Sequence, residues 1–196
     1  MPEEKHIDPR MRIIRDEVLA CRTCSLHASR RWPVIGQGSH QADIILVAEA
    51  PGATEDKTGR PFCGQAGKVL DQLLEAVSLR REDIYIANIL KCHPPGNRNP
   101  KPDEIIACTP FLVKQIEIIQ PKIIGCLGSF ASSFIMDLFH LSEQKQGISK
   151  IHGNVFEGYY GELKAKVVPL YHPAVASYNA NMLDALKDDF GKLFFS

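Results

Sequence analysis

The sequence predicts an α/β fold, a three-layer αβα sandwich built on a central, mainly parallel four-stranded sheet. Two observations carry this reading. Four short apolar runs recur along the chain, at Asp43–Ala48, Asp83–Asn88, Lys122–Leu127 and Lys166–Tyr171, and such runs read as strands buried on both faces. Between them lie stretches of helical length and spacing, the alternation that yields a parallel sheet covered by helices. A third observation places function. Polar residues stand where these runs end, Glu49 after the first, Asn88 closing the second and His172 after the fourth, and open α/β sheets bind ligands at the carboxyl ends of their strands.

Taken in order, Ile13, Ile14, Val18 and Leu19 recur at near-helical spacing and predict a short helix over Arg12–Leu19 that runs into Cys21. The first strand is bounded by Gly36 and Gly38 before it and by the Pro51-Gly52 turn after it. A helix follows over about Gly67–Val77. After the second strand, Pro102-Asp-Glu-Ile opens a helix with proline and acids in its first turn, and Pro121 ends it. Beyond the third strand Ser129 caps a helix to about Phe139, and the loop-rich stretch Gly147–Gly161 has room for a hairpin. The helix Met182–Phe194 closes the chain. No internal repeat, low-complexity tract or linker interrupts it, so a single domain over residues 1–196 is expected.

Lys plus Arg and Asp plus Glu each number 23, for a formal charge of zero. A nucleic-acid partner would therefore have to be met by a local patch. No apolar run approaches the roughly 20 residues of a membrane span. Met1–Arg10 is charged and has no apolar signal core, so export is not expected and a cytoplasmic protein is. The six cysteines are then thiols or metal ligands rather than disulfides.

Cys21 and Cys24 form a C-x2-C pair, and Cys92 and Cys108 form a second pair with fifteen residues between them. Four thiolates hold either tetrahedral zinc or a cubane iron–sulfur cluster, and spacing alone leaves the two even. Cys63 and Cys126 have no partner at ligand spacing and read as plain thiols.

Ala48-Glu49-Ala50-Pro51-Gly52, then Glu55-Asp56, then Gly59-Arg-Pro-Phe-Cys-Gly64 with Ala66 and Gly67, closely resemble the first motif of the family 4 uracil-DNA glycosylases. Asn88-Ile-Leu-Lys-Cys-His-Pro-Pro-Gly-Asn-Arg98 resembles that family's central segment, and Tyr171-His172-Pro173-Ala174 its closing motif. The similarity runs in order from about Cys21 to Pro173. It departs in small ways at Ala48, where the family has Gly, and at Cys63, where it has Val. Val175–Ala180 replaces the leucines, arginine and proline that commonly follow the closing motif. The basic insertion of a relative that bonds covalently to abasic DNA is missing near Pro94–Pro102, so ordinary turnover is expected.

The resemblance implies a monofunctional DNA-repair glycosylase that flips uracil out of DNA, single- or double-stranded, and hydrolyses its N-glycosidic bond in base excision repair. It makes Cys21, Cys24, Cys92 and Cys108 the ligands of a [4Fe–4S] cluster with a structural role. Glu49 orients or deprotonates the water and stabilises the cationic sugar, and His172 donates to uracil O2. Phe62 stacks on the flipped ring, Asn88 reads uracil N3–H and O4, Glu55 occupies the space of a thymine methyl, and Ala50 lies against the substrate. Lys91, Arg98 and Lys101 are expected to form a basic edge on DNA, and Tyr178 or a neighbour in Val175–Asn179 to fill the space that the nucleotide leaves. A monomer at the nucleoid is expected, with no membrane contact; a replication-clamp partner cannot be read from the sequence. The competing readings are a glycosylase for other deaminated bases such as hypoxanthine, a nucleic-acid-binding module with a redox-sensing cluster, and a zinc-stabilised structural domain.

Overall fold

Apolar sequence without a polar face becomes strand where helices cover both sides, and the first three runs do so over slightly shorter spans than the pattern suggests, while the fourth begins earlier, at Leu163. The computed structural model describes residues 8–194; most of the charged N-terminal stretch read above lies outside them. In chain order the elements are α1 (Pro9–Ala20), β1 (Gln37–Gly38), β2 (Ile44–Ala48), α2 (Ala53–Thr58), α3 (Gln65–Ala76), β3 (Tyr85–Asn88) and α4 (Pro102–Ile119). Then follow β4 (Ile123–Leu127), α5 (Ser129–Leu138), α6 (Ile148–Ile151), β5 (Phe156–Tyr160), β6 (Leu163–Leu170), α7 (Ala174–Tyr178) and α8 (Met182–Gly191).

The sheet has six strands rather than four, in the order β1-β3-β2-β4-β6-β5. The expected four form its parallel centre, β3 with β2, β2 with β4 and β4 with β6. The two additional strands are antiparallel edges, β1 on β3 and β5 on β6. Neither announces itself in the sequence. The first is two residues long, and Phe156–Tyr160 buries only Gly158, so it lacks the apolar run that marks a central strand. The hairpin expected between Gly147 and Gly161 exists, but Gly161 forms its turn, at φ 58°, and its second strand is β6.

Alternation along the strands sorts side chains to two layers. Ile45 and Val47 of β2 join Ile14 of α1, Leu112 of α4 and Ile135 of α5 on one face. Ile44, Leu46 and Ala48 join Leu70 and Leu73 of α3 and Phe190 of α8 on the other. A one-residue slip would exchange the two sets, so register is strongly held. The three-layer sandwich is thus present, with helices on both faces.

Helix α4 starts where proline and acids predict. Glu104 accepts the backbone N–H of Lys101 at 2.8 Å, satisfying one of the donors that a helix start leaves open. Gln120 ends it in the left-handed region, at φ 51°, just before Pro121. Helix α5 departs from expectation at its start. Gly128, not Ser129, is the cap, at φ 95°, because the chain must turn sharply off β4 there and that backbone strongly favours glycine.

Candidate functional site

At the carboxyl ends of the central strands a pocket of about 550 Å³ opens, within the size range of small-molecule sites. Four stretches converge on it: Ala50, Pro51 and Gly52 from the turn after β2, Glu55 of α2 with Phe62 beyond it, Asn88 at the end of β3, and His172 after β6 with Tyr178 of α7. Six of the residues assigned to substrate or DNA, Ala50, Glu55, Phe62, Asn88, His172 and Tyr178, therefore share one wall. Glu49 does not line it. It precedes the wall by one residue, half-buried, and burial raises its carboxyl above the usual carboxylate value.

Phe62 sits at φ 49°, in the left-handed region, and needs support to stay there. Glu55 supplies part of it, its Oε1 accepting the N–H groups of Cys63 at 3.0 Å and Gly64 at 2.9 Å. Arg81 supplies the rest, donating to the carbonyl of Phe62 at 2.7 Å and of Pro61 at 3.2 Å. Gly67 is obligatory for space, since a Cβ there would lie 1.9 Å from the Phe62 carbonyl oxygen. The ring so held is buried and stacks on His172, with centroids 5.6 Å apart at 27°.

His172 has a defined tautomer. The backbone N–H of Ala174 donates to its Nδ1 at 3.1 Å, so the ring proton resides on Nε2. Burial holds its pKa below the ordinary histidine value, with the Glu55 carboxylate opposing, and the ring is therefore neutral near pH 7. The preceding Tyr171 ring lies 4.3 Å from that of His152, which in turn bonds Asp189 of α8 through Nδ1 at 2.8 Å.

Asn88 is 2% exposed and lines the pocket, yet its carboxamide makes no hydrogen bond among the described residues. Its backbone carbonyl is taken. Lys91, 1% exposed, donates from Nζ to that oxygen at 2.8 Å and to Gln115 Oε1 at 2.7 Å. Gln115 bonds onward to the Tyr85 hydroxyl and the Ile35 carbonyl. Burial lowers the lysine's pKa to about 8, against the opposing pull of Cys108.

This overturns the expected basic edge at Lys91, which is interior and supports the strand end that carries Asn88. Arg98 is also committed elsewhere. Its guanidinium grips the fully buried Glu104 carboxylate at two points, which holds that acid down to about 2. Lys101 alone of the three is exposed. A charged residue within a polar loop reads as a surface contact, and only the burial that the fold imposes shows that a backbone carbonyl and a buried carboxylate claim two of them.

Cys21, Cys24, Cys92 and Cys108 come together around one small pocket, closed by Val18, Leu26 and Phe111. Two donors reach the sulfurs: the Lys91 N–H to Cys108 Sγ at 3.1 Å and the Arg30 guanidinium to Cys92 Sγ at 3.2 Å. Among the described residues no three His, Cys, Asp or Glu side chains converge closely enough to hold one metal ion. Cys63 faces the Thr58 hydroxyl at 3.0 Å and Cys126 is buried in β4, both apart from this group.

The family described as the Uracil DNA glycosylase superfamily matches residues 35–194. The chain belongs to that superfamily. A type-4 uracil-DNA glycosylase of Archaeoglobus fulgidus is 45% identical over 177 residues, 90% of this chain and 88% of its own. Those of Sulfurisphaera tokodaii and Thermotoga maritima are 44% and 45% identical, over 92% and 84% of this chain and each over 81% of their own. In this uracil-DNA glycosylase superfamily member, sequence reasoning missed Arg81 and Gln115. Asn97, in the Gly96–Asn99 run that the sequence places on the DNA-facing edge, sits at φ 54°, lines the pocket and bonds His93 at 2.8 Å. Arg81 and Gln115 carry no local signal, because each acts on backbone far away in sequence.

Proposed function

We propose that the chain removes uracil from DNA by extruding the nucleotide and hydrolysing its N-glycosidic bond, leaving an abasic site for base excision repair. One observation carries the reading: a carboxamide without a protein partner, that of Asn88, opens onto the same pocket as an imidazole whose Nε2–H is its free donor. Among the described residues no fully buried side-chain polar atom is unpaired, so the polar atoms of Asn88 face the pocket, where a ligand's hydrogen bonds can meet them.

Uracil meets that requirement. Its N3–H and O4 match the acceptor and donor of a carboxamide, whereas cytosine reverses both. Extruding a base costs on the order of a few kcal/mol, a figure for base-flipping enzymes as a class, glycosylases among them. The fixed Phe62 ring offsets part of that by stacking, about 1–3 kcal/mol per base. As the bond breaks, charge grows on uracil O2. The neutral His172 donates Nε2–H to that oxygen, and a donor of this kind contributes about 10²–10³ in rate. The sugar becomes cationic outside the base pocket, and Glu49 stabilises it and orients the water; its raised pKa makes it a better base near neutral pH. Glu55, pinned by two N–H groups, is a rigid wall against a thymine methyl.

The four cysteines take a [4Fe–4S] cluster, whose contribution is structural because hydrolysis moves no electrons. They line one small, largely apolar pocket with donors to two of the sulfurs, and the likeness to the family's four ligands favours the cluster over zinc. The apolar wall and the donors to sulfur suit either oxidation level. Tyr178, 90% exposed at the pocket mouth, fills the space of the extruded nucleotide. The enzyme acts as a single-domain monomer at the nucleoid.

Matched oligonucleotides containing uracil, hypoxanthine or thymine test the proposal. Free uracil is expected from the first alone. Release of no base would sink it, and hypoxanthine release at a comparable rate would move the specificity to deaminated purines.

A further inference from the structure

The chain has one tryptophan, and Trp32 is 54% exposed. A lone exposed aromatic needs no explanation by itself; three further facts give this one a role. It is held rigidly. Its backbone N–H donates to the Asp56 carbonyl at 3.0 Å, and the Val34 N–H donates to the Lys91 carbonyl at 2.7 Å. The Arg31 N–H donates to Asp56 Oδ1 at 2.9 Å, and the Arg30 guanidinium reaches Cys92 Sγ and the Leu19 carbonyl.

Its position is the second fact. Asp56 follows Glu55, a wall of the uracil pocket, and Cys92 belongs to the cysteine pocket, so the indole projects from a strap fastened to both sites. Its Cβ also lies 3.5 Å from where a Cβ on Gly59 would stand. The third is charge. Arg31, Lys57 and Arg60 around these contacts are exposed and make no ion pair among the described residues, while Asp56 turns Oδ1 to backbone.

We propose that Trp32, with Arg31, Lys57 and Arg60, forms a subsite for a nucleotide flanking the flipped uracil on the same DNA strand. The base stacks on the indole and neighbouring phosphates meet the three cations. Such a platform accepts any base, because every base has a π-face, and the phosphate contacts carry no sequence information. The inference rests on the uracil-excision reading and adds a second point of contact beyond its pocket.

Because Trp32 is the only tryptophan, its emission reports on this ring alone. With the full chain, single-stranded oligothymidine should quench it saturably, whereas an all-abasic strand of equal length should not. Trp32→Ala should weaken oligothymidine binding and raise KM for a uracil-containing strand about fivefold or more, with kcat unchanged, and Trp32→Phe should restore most of both. The subsite is overturned if oligothymidine leaves the emission unchanged, if the abasic strand quenches equally, or if Trp32→Ala leaves KM unaltered. A wild-type chain that releases no uracil overturns the pocket reading instead, and the emission experiment, which contains no uracil, still decides on Trp32.

Discussion

The cysteine pocket and the strand-end pocket share one stretch of chain, residues 88–108, and treat their polar groups in opposite ways. Around the cysteines the available donors are used up, with the Lys91 N–H and Arg30 both directed at sulfur and apolar side chains closing the rest. At the strand ends the site keeps Asn88's carboxamide unpaired and leaves Nε2–H of His172 as a donor. Satisfied groups make a brace and unsatisfied ones make a receptor. The price of the second kind of site is stability, which the first kind supplies.

The largest expected effects separate the two. Asn88→Ala and His172→Ala should each lower uracil release by about 10²–10³-fold with little change in thermal unfolding, whereas Cys92→Ser or Cys108→Ser should lose iron and unfold earlier. Iron content, Tm and uracil release measured on all four variants decide this; if Asn88→Ala destabilises as much as Cys108→Ser, the contrast is false.

Lys91 is where the two regions meet, and Lys91→Met should injure both. It strips a donor from the Asn88 carbonyl and from Gln115, at about 1–3 kcal/mol for each buried acceptor left unpaired. Denaturant unfolding and uracil release should fall together. Full stability with full activity would show that the network is dispensable.

Arg98→Ala should weaken folding rather than DNA binding, since it leaves Glu104 buried and unpaired. The Arg98 side chain is 34% exposed, so water screens part of the pair and the loss should be a modest fall in denaturant midpoint rather than the collapse expected of a fully buried pair. The Glu104 carboxyl is held at about 2 against an ordinary 4.5. Its depressed pKa contributes stability that is present above pH 4.5 and is lost as the pH falls toward 2. Stability against pH over that window should slope in the wild type and flatten in Arg98→Ala. An unchanged stability with a raised KM would return Arg98 to the DNA edge.

Glu55→Ala gives the smallest effect and the sharpest one for specificity. The resemblance alone suggests that uracil activity persists while thymine release appears. The structure adds that Glu55 holds the turn of Phe62, so uracil release should also drop, by about tenfold if one charge-assisted bond of roughly 1.5 kcal/mol is lost. Paired assays on uracil and thymine strands read both outcomes, and thymine release without any loss on uracil would mean that Arg81 suffices to hold Phe62.

By itself the sequence determined the parallel centre of the sheet, the helices on its two faces and the ends of the strands as the place for chemistry. Those features follow from local periodicity: apolar runs at β2, β3, β4 and β6, and proline with acids opening α4. The spacing of Cys21, Cys24, Cys92 and Cys108, together with the motifs at Glu49, Asn88 and His172, also identified the family. Tertiary structure decided what no local pattern contains. It paired β1 and β5 at the edges, buried Lys91 under Asn88, turned Arg98 onto Glu104, and brought Arg81 to the backbone of Phe62. Each of these is a polar group or short strand whose pairing depends on which groups the fold buries beside it, whether the partner is near in the chain, as Glu104 is to Arg98, or far, as Phe62 is to Arg81. A charged side chain has the same sequence signature on a surface as in the interior, and only the fold shows whether water or a buried acceptor will satisfy it.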